Sequence, residues 1–191
     1  MELPLIIDGR LHTGHCIYFR RDPPLSDQQI LAHFGLRNYL RADSLPKTCT
    51  YAVLADIGDW VLLADDLLYR LWNTPTTALA VESLAESRDV FTWSVGDCDM
   101  SFGYRIFKNG ELIRDYAVDS PHFVDQLVRT DFGVAMTSEL ELLVSDLQIE
   151  LKVGGIGELL GINPFVSREM LRLYYKPWKS ELDPSAGIRN F

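Results

Sequence analysis

Asn109-Gly110 sits between two runs of strand-forming residues, and this dipeptide is the strongest local signal for a β-hairpin. The stretch from Val90 to Val118 reads around it as a strand, a short acidic loop (Gly96-Asp97-Cys98-Asp99) and a hairpin from Met100 to Val118. A two-residue loop at Asn109-Gly110 would set Arg105 opposite Arg114, and like charges directly opposed are unfavourable. A three-residue loop with Lys108-Asn109 in a type I turn and Gly110 in the left-handed region avoids this. It pairs Ile106 with Leu112, Tyr104 with Arg114, Phe102 with Tyr116 and Met100 with Val118. One face is then apolar and aromatic. The other carries Ser101, Gly103, Arg105, Glu111 and Asp115, with Phe107 and Ile113 near the turn, and stays largely wet, as antiparallel sheets allow.

Other segments supply the rest of an α+β chain. Asp8-Gly9 turns a small hairpin, and Gly14 to Arg20 continues as a strand that Pro23-Pro24 ends. Ser26 with Gln29 forms a capping box, Leu25 and Ile30 a hydrophobic staple, and Gly35 a stop, so a helix spans the interval. Tyr51 to Asp56 and Asp59 to Ala64 form a second hairpin turning at Ile57-Gly58, with Tyr51, Val53 and Ala55 facing Ala64, Leu62 and Trp60. Nearly every position in it is apolar, which places it at the sheet centre. Asp65-Asp66 opens a turn carrying Leu67, Leu68, Leu71 and Trp72. Pro75 starts a helix to about Glu86.

Ser120-Pro121 starts a helix through Val128. Thr137 to Val153 is one helix opened by Ser138 with Glu141, a second runs from Ile156 to Leu160, and Ser167 caps a third to about Tyr175. The expected fold is one α+β domain over residues 1–175: a twisted antiparallel sheet of five to seven strands, helices on one face, and a helical C-terminal third. Lys176 to Phe191 forms a docked tail, because Trp178, Leu182, Ile188 and Phe191 are too apolar for a solvated one. Exchange of this tail between two subunits would give a homodimer.

Charge narrows the function. Lys plus Arg number 18 against 27 Asp plus Glu, a formal net charge of -9, so the basic footprint that nucleic acid or anionic membrane requires is missing. No apolar run reaches the ~18 to 20 residues of a membrane span. Cys16, Cys49 and Cys98 are odd in number and far apart, which fits reduced thiols in a cytoplasmic protein.

No motif rises to a catalytic signature. The carboxylates flanking Cys98 disfavour its thiolate. His12, His15 and Cys16 lack a second ligand pair, so no intrinsic metal is expected. Asp131-Phe132-Gly133 copies a kinase triplet without the rest of that set and reads as a turn with a buried Phe. Gly154-Gly155-Ile156-Gly157 misses the dinucleotide spacing and reads as helix caps.

In composition and element order the chain is similar to small acidic bacterial proteins that bind and neutralise a toxin, with helices framing an aromatic sheet. The similarity implies a non-catalytic, acidic protein-binding module without cofactor, facing a basic protein partner. The residues expected to meet that partner are Asp97, Asp99, Tyr104, Arg105, Arg114, Asp115 and Tyr116, on the open face and loops of the central sheet. The alternative is a small cytoplasmic enzyme with a pocket built from Cys16, His15, His33 or His122 and dispersed carboxylates.

Overall fold

A computed structural model of the chain describes residues 5–7, 9–46, 49–65, 75–96, 101–119, 127–145 and 147–177. Its first two strands, β1 (Leu5–Ile7) and β2 (Arg10–His12), pair antiparallel as a small two-stranded sheet, with Ile7 opposite Arg10. The other nine strands form one antiparallel sheet. In chain order they are β3 (His15–Arg20), β4 (Leu40–Ala42), β5 (Cys49–Ile57), β6 (Trp60–Asp65), β7 (Val90–Val95), β8 (Phe102–Lys108), β9 (Glu111–Asp119), β10 (Leu127–Gly133) and β11 (Leu171–Pro177). Across the sheet the order is β10-β9-β8-β7-β3-β6-β5-β11-β4. Four helices accompany it: α1 (Asp27–His33), α2 (Pro75–Ala85), α3 (Thr137–Val144) and α4 (Ile149–Leu159).

Helices cover both faces, not one. Ile17, Phe19, Leu54, Val61 and Leu63 pack against α1 and α2. Their strand neighbours Cys16, Tyr18, Val53, Leu62 and Ala64 belong to a second cluster with Ile149, Val153 and Ile156 of α4. The reason was in the sequence of β5 and β6. Strands apolar at every position bury two faces, and two buried faces need two covers.

The capping box of α1 forms as expected. Gln29 donates its backbone N–H to Ser26 Oγ at 3.3 Å, and Gln29 Oε1 accepts from the Ser26 backbone N–H at 2.8 Å. Gly35 follows with φ +71°.

The β5–β6 hairpin turns at Gly58-Asp59, one residue beyond the expected place, so Val53 faces Ala64, Ala55 faces Leu62 and Ile57 faces Trp60. Every residue keeps its expected face, because the register moves by two.

The C-terminal part departs more. The 120–126 part of the expected Ser120 helix lies outside the described residues, but Leu127 and Val128 open β10. The expected long helix is two: α3 ends at Val144 and α4 starts at Ile149. Lys152, buried in α4, donates from Nζ to the Leu143 carbonyl at 3.0 Å and satisfies an end of α3. Gly154, Gly155 and Gly157 are inside α4 and cap nothing. They permit close approach instead: a Cβ on Gly155 would lie 3.0 Å from the Leu142 methyls, and one on Gly157 3.4 Å from the Phe91 ring.

The expected third helix from Ser167 is a single 3-10 turn, Arg168–Met170, followed by β11. Leu173 and Tyr174 enter opposite clusters, a two-sided burial that a strand supplies. β11 inserts between β5 and β4, and Arg172 ties it down with Nε to Asp27 Oδ2 at 2.8 Å and Nη2 to Asp56 Oδ1 at 3.0 Å. Lys176 and Pro177, read as the start of the tail, pair with Thr50 and Cys49. The remaining tail and the turn at residues 66–72 lie outside the described residues.

Candidate interaction groove

The central hairpin resolves its charge conflict by a bulge. Asn109 and Gly110, with φ of 53° and 86°, make a two-residue turn that pairs Lys108 with Glu111 and Phe107 with Leu112. The register then slips, leaving Ile113 without a partner, so that Ile106 faces Arg114, Arg105 faces Asp115 and Tyr104 faces Tyr116. The three-residue loop is therefore replaced by a tighter turn plus one extra residue in β9. The bulge converts an Arg–Arg opposition into an Arg105–Asp115 ion pair, Nε to Oδ2 at 3.1 Å. It also turns Arg114 to the other face.

There Arg114 meets Glu139, the third residue of α3. Glu139 is wholly buried. Its Oε1 accepts from Tyr104 Oη at 2.5 Å and Arg114 Nε at 2.6 Å, and its Oε2 accepts from the Met136 backbone N–H at 3.1 Å. Arg114 Nη1 donates to Asp131 Oδ1 at 2.5 Å and to the Phe132 carbonyl at 2.9 Å. Its guanidinium lies 5.3 Å from the Tyr116 ring centre, and Tyr104 stacks on Tyr116 at 5.6 Å.

Burial opposes the Arg114 charge, but its bonds to Asp131 and Glu139 together outweigh this and hold the group above its ordinary range. Burial first, then the bond to Glu139, push the Tyr104 hydroxyl up. Buried charges matched in this way form a clamp that fixes α3 to β8, β9 and β10.

The residues expected to form one surface are thus divided. Tyr104 and Arg114 are each 2% exposed and Tyr116 is half-buried, all toward α3. Arg105 and Asp115 lie on the α2 face. Asp97 and Asp99 lie outside the described residues. Glu139 was not foreseen; its signal is a carboxylate in a helix's first turn, placed to reach back to the N-cap.

Above the clamp opens a groove of about 440 Å3, walled by Ile113, Phe132, Val134, Met136 and Leu160. Phe132 is 53% exposed and Val134 92%, so the expected buried Phe at Asp131-Phe132-Gly133 is a surface residue at the end of β10. Gly133, with φ +87°, passes so close to the Ile113 carbonyl that a Cβ would overlap it. β10 pairs with β9 alone and forms one edge of the sheet. On α3, Leu140 and Val144 are also exposed. Residues 127–160 hold six acidic side chains against two basic ones. Of these two, Arg129 pairs with Asp119 and Lys152 is buried.

The groups of the enzyme alternative do not converge. His15 and Cys16, adjacent on β3, point to opposite faces. Burial pushes the Cys16 thiol up and holds the His15 imidazole down at about 4. His33 Nε2 lies 2.7 Å from the Ala80 carbonyl and links α1 to α2. His122 lies outside the described residues. Among the described residues no three His, Cys, Asp or Glu side chains group as metal ligands, and no helix is long and apolar enough to cross a membrane. Comparison of the chain with protein-family models, with curated proteins and with solved structures finds no match in any of the three.

Proposed function

We propose that this chain is a non-catalytic protein-binding module, of the inhibitor or immunity kind, that takes a basic protein partner on the groove beside β10. The observation that carries this reading is the exposure of Phe132 at the end of an edge strand and of Val134 just beyond it, within an acidic segment. An apolar anchor site with a charged rim is how recognition surfaces combine affinity with selectivity. The edge strand adds a row of backbone donors and acceptors that an extended partner segment can pair with. The charged groups at the groove floor are spent on one another, which suits binding better than chemistry. Cys16 and Cys49 as free thiols support a cytoplasmic setting.

The test is co-purification from native lysate with wild type and with Val134→Asp. A stoichiometric basic partner held by wild type, released by raised salt and lost by the variant supports the proposal. The same captured proteins with both forms overturn it.

A further inference from the structure

The two edges of the nine-stranded sheet are built differently. At one, β4 has three residues and carries Arg41, and a short, charged edge strand resists pairing with another chain. At the other, β10 has seven residues with neither proline nor lysine. Its bulge, which leaves Arg129 without a partner between Val128 and Thr130, interrupts only the first half. From Thr130 to Gly133 the pairing with β9 is regular, and among the described residues no strand lies on the outer side. Such a stretch is a template for a further strand.

Both faces beside it suit the side chains of an added strand. On the α3 face, the clamp sets one cation, Arg114, between two carboxylates, Glu139 and Asp131, and so keeps a negative charge in excess. Glu139 is buried, whereas the Asp131 side chain is 59% exposed, so the excess sits on the edge strand. Leu142 of α3 packs on Gly155 of α4. Leu140 and Val144, each two residues from Leu142, therefore lie on the flank of α3 turned away from α4, toward the β10 edge. Both are exposed, and they suit the aliphatic stem of a Lys or Arg whose charge reaches Asp131. On the other face, Phe132 shares a side with its partner Asp115 and offers an apolar cross-strand contact. A second copy of this chain, with its net charge of -9, would bring more acid to Asp131, so a cationic segment is favoured.

We propose that an extended basic segment of the partner adds to the sheet beside β10, with a Lys or Arg opposite Asp131 and an apolar residue opposite Phe132. This rests on the partner reading and specifies how the partner binds: by main-chain pairing along Thr130 to Gly133.

The probe is a capped synthetic peptide of alternating Lys and Val, as long as β10, titrated into the full chain and followed by amide NMR and hydrogen exchange. Saturable binding below about 1 mM, the range of a weak complex, is expected. It should slow exchange at alternate amides between Thr130 and Val134, those not bonded to β9. A peptide with Glu in place of Lys, and one N-methylated at every amide, should not bind. Asp131→Asn, checked for an unchanged melting temperature, should weaken binding about three- to fivefold, the worth of one exposed ion pair. No saturation by about 1 mM, equal binding of the N-methylated peptide, or binding without slowed exchange in β10 overturns the proposal. So does slow exchange of these amides before any peptide is added, since the edge is then already occupied by this chain or a second copy. Where the peptide fails but wild type still holds a basic lysate partner that Val134→Asp loses, strand addition falls and the partner reading stands.

Discussion

The inner and outer halves of the sheet are built differently. In β3, β5 and β6 nearly every side chain is apolar and buried, and the strands are held by area on both faces. Under β8, β9 and β10 the same architecture buries Arg114 of β9 against Glu139 of α3, with the exposed Asp131 of β10 at the outer end of the network. An apolar strand loses stability in proportion to what is cut from it. A charge network fails when one member goes, because the others remain buried without their partner.

The largest expected effect follows from that difference. Glu139→Ala leaves Arg114 and the Tyr104 hydroxyl buried beneath α3 and should cost about 3–5 kcal/mol. The Arg114→Ala/Glu139→Ala double variant should cost less than the two single variants added, whereas Leu62→Ala combined with Glu139→Ala should be additive. Chemical denaturation of wild type and the five variants decides. Additivity for the ion pair would mean that the outer half is held by area as well.

His15 offers a break on pH. Its imidazole has an ordinary value of 6.5, and burial lowers it to about 4 in the folded state. The unfolded chain therefore binds the proton more readily, and stability falls as pH drops from about 6.5 to 4. The loss amounts to about 3 kcal/mol when both values are passed. Urea midpoints at pH 7, 5.5 and 4 should show the decline, and His15→Gln should flatten part of it. An unchanged slope in that variant would assign the acid sensitivity to the carboxylates.

Gly110 tests the turn that sets the outer register. Its φ of 86° follows a positive φ at Asn109. A β-branched side chain there is strained, so Gly110→Val should cost on the order of 1–3 kcal/mol and Asn109→Ala less. Equal midpoints for Gly110→Val and wild type would refute the turn assignment.

The same comparison explains what was legible in the sequence. Faces were readable and pairings were not. In the β5–β6 hairpin, and in β8–β9 from Arg114 onward, residues were assigned to their correct faces while the register was off by two, because alternation reports parity and the turn fixes the count. Between the turn and the bulge the assignment fails, and Leu112, expected opposite Ile106, pairs with Phe107 on the other face. At Asn109-Gly110 the charge conflict between Arg105 and Arg114 was real, but a bulge at Ile113 removed it, and no local pattern announces a bulge. Helices on one face were inferred although β5 and β6 asked for two covers. Leu171 to Tyr175 became a strand because β5 had an open edge, a tertiary fact that outweighs helical propensity. The groove was invisible for a like reason: it joins β10, α3 and the end of α4, and its floor depends on the rotation of Arg114 by that bulge.

The smallest stability effect is expected at the groove's rim, and there the comparison is sharpest. Val134 is nearly fully exposed and Phe132 half so, which makes them idle in folding. Val134→Asp should leave the denaturation midpoint within about 0.5 kcal/mol of wild type, as surface changes away from structural features do. Phe132→Asp should cost little more, since half of its ring already meets water. Large apolar residues left in contact with water beside an unpaired strand edge favour aggregation unless another surface covers them. Both variants should therefore be more soluble than wild type while melting at the same temperature. Thermal melting and a solubility limit in ammonium sulfate measure the two properties on one sample. A drop of several degrees in either variant would mean that these side chains pack against the fold, and the groove would then belong to the core rather than to a partner.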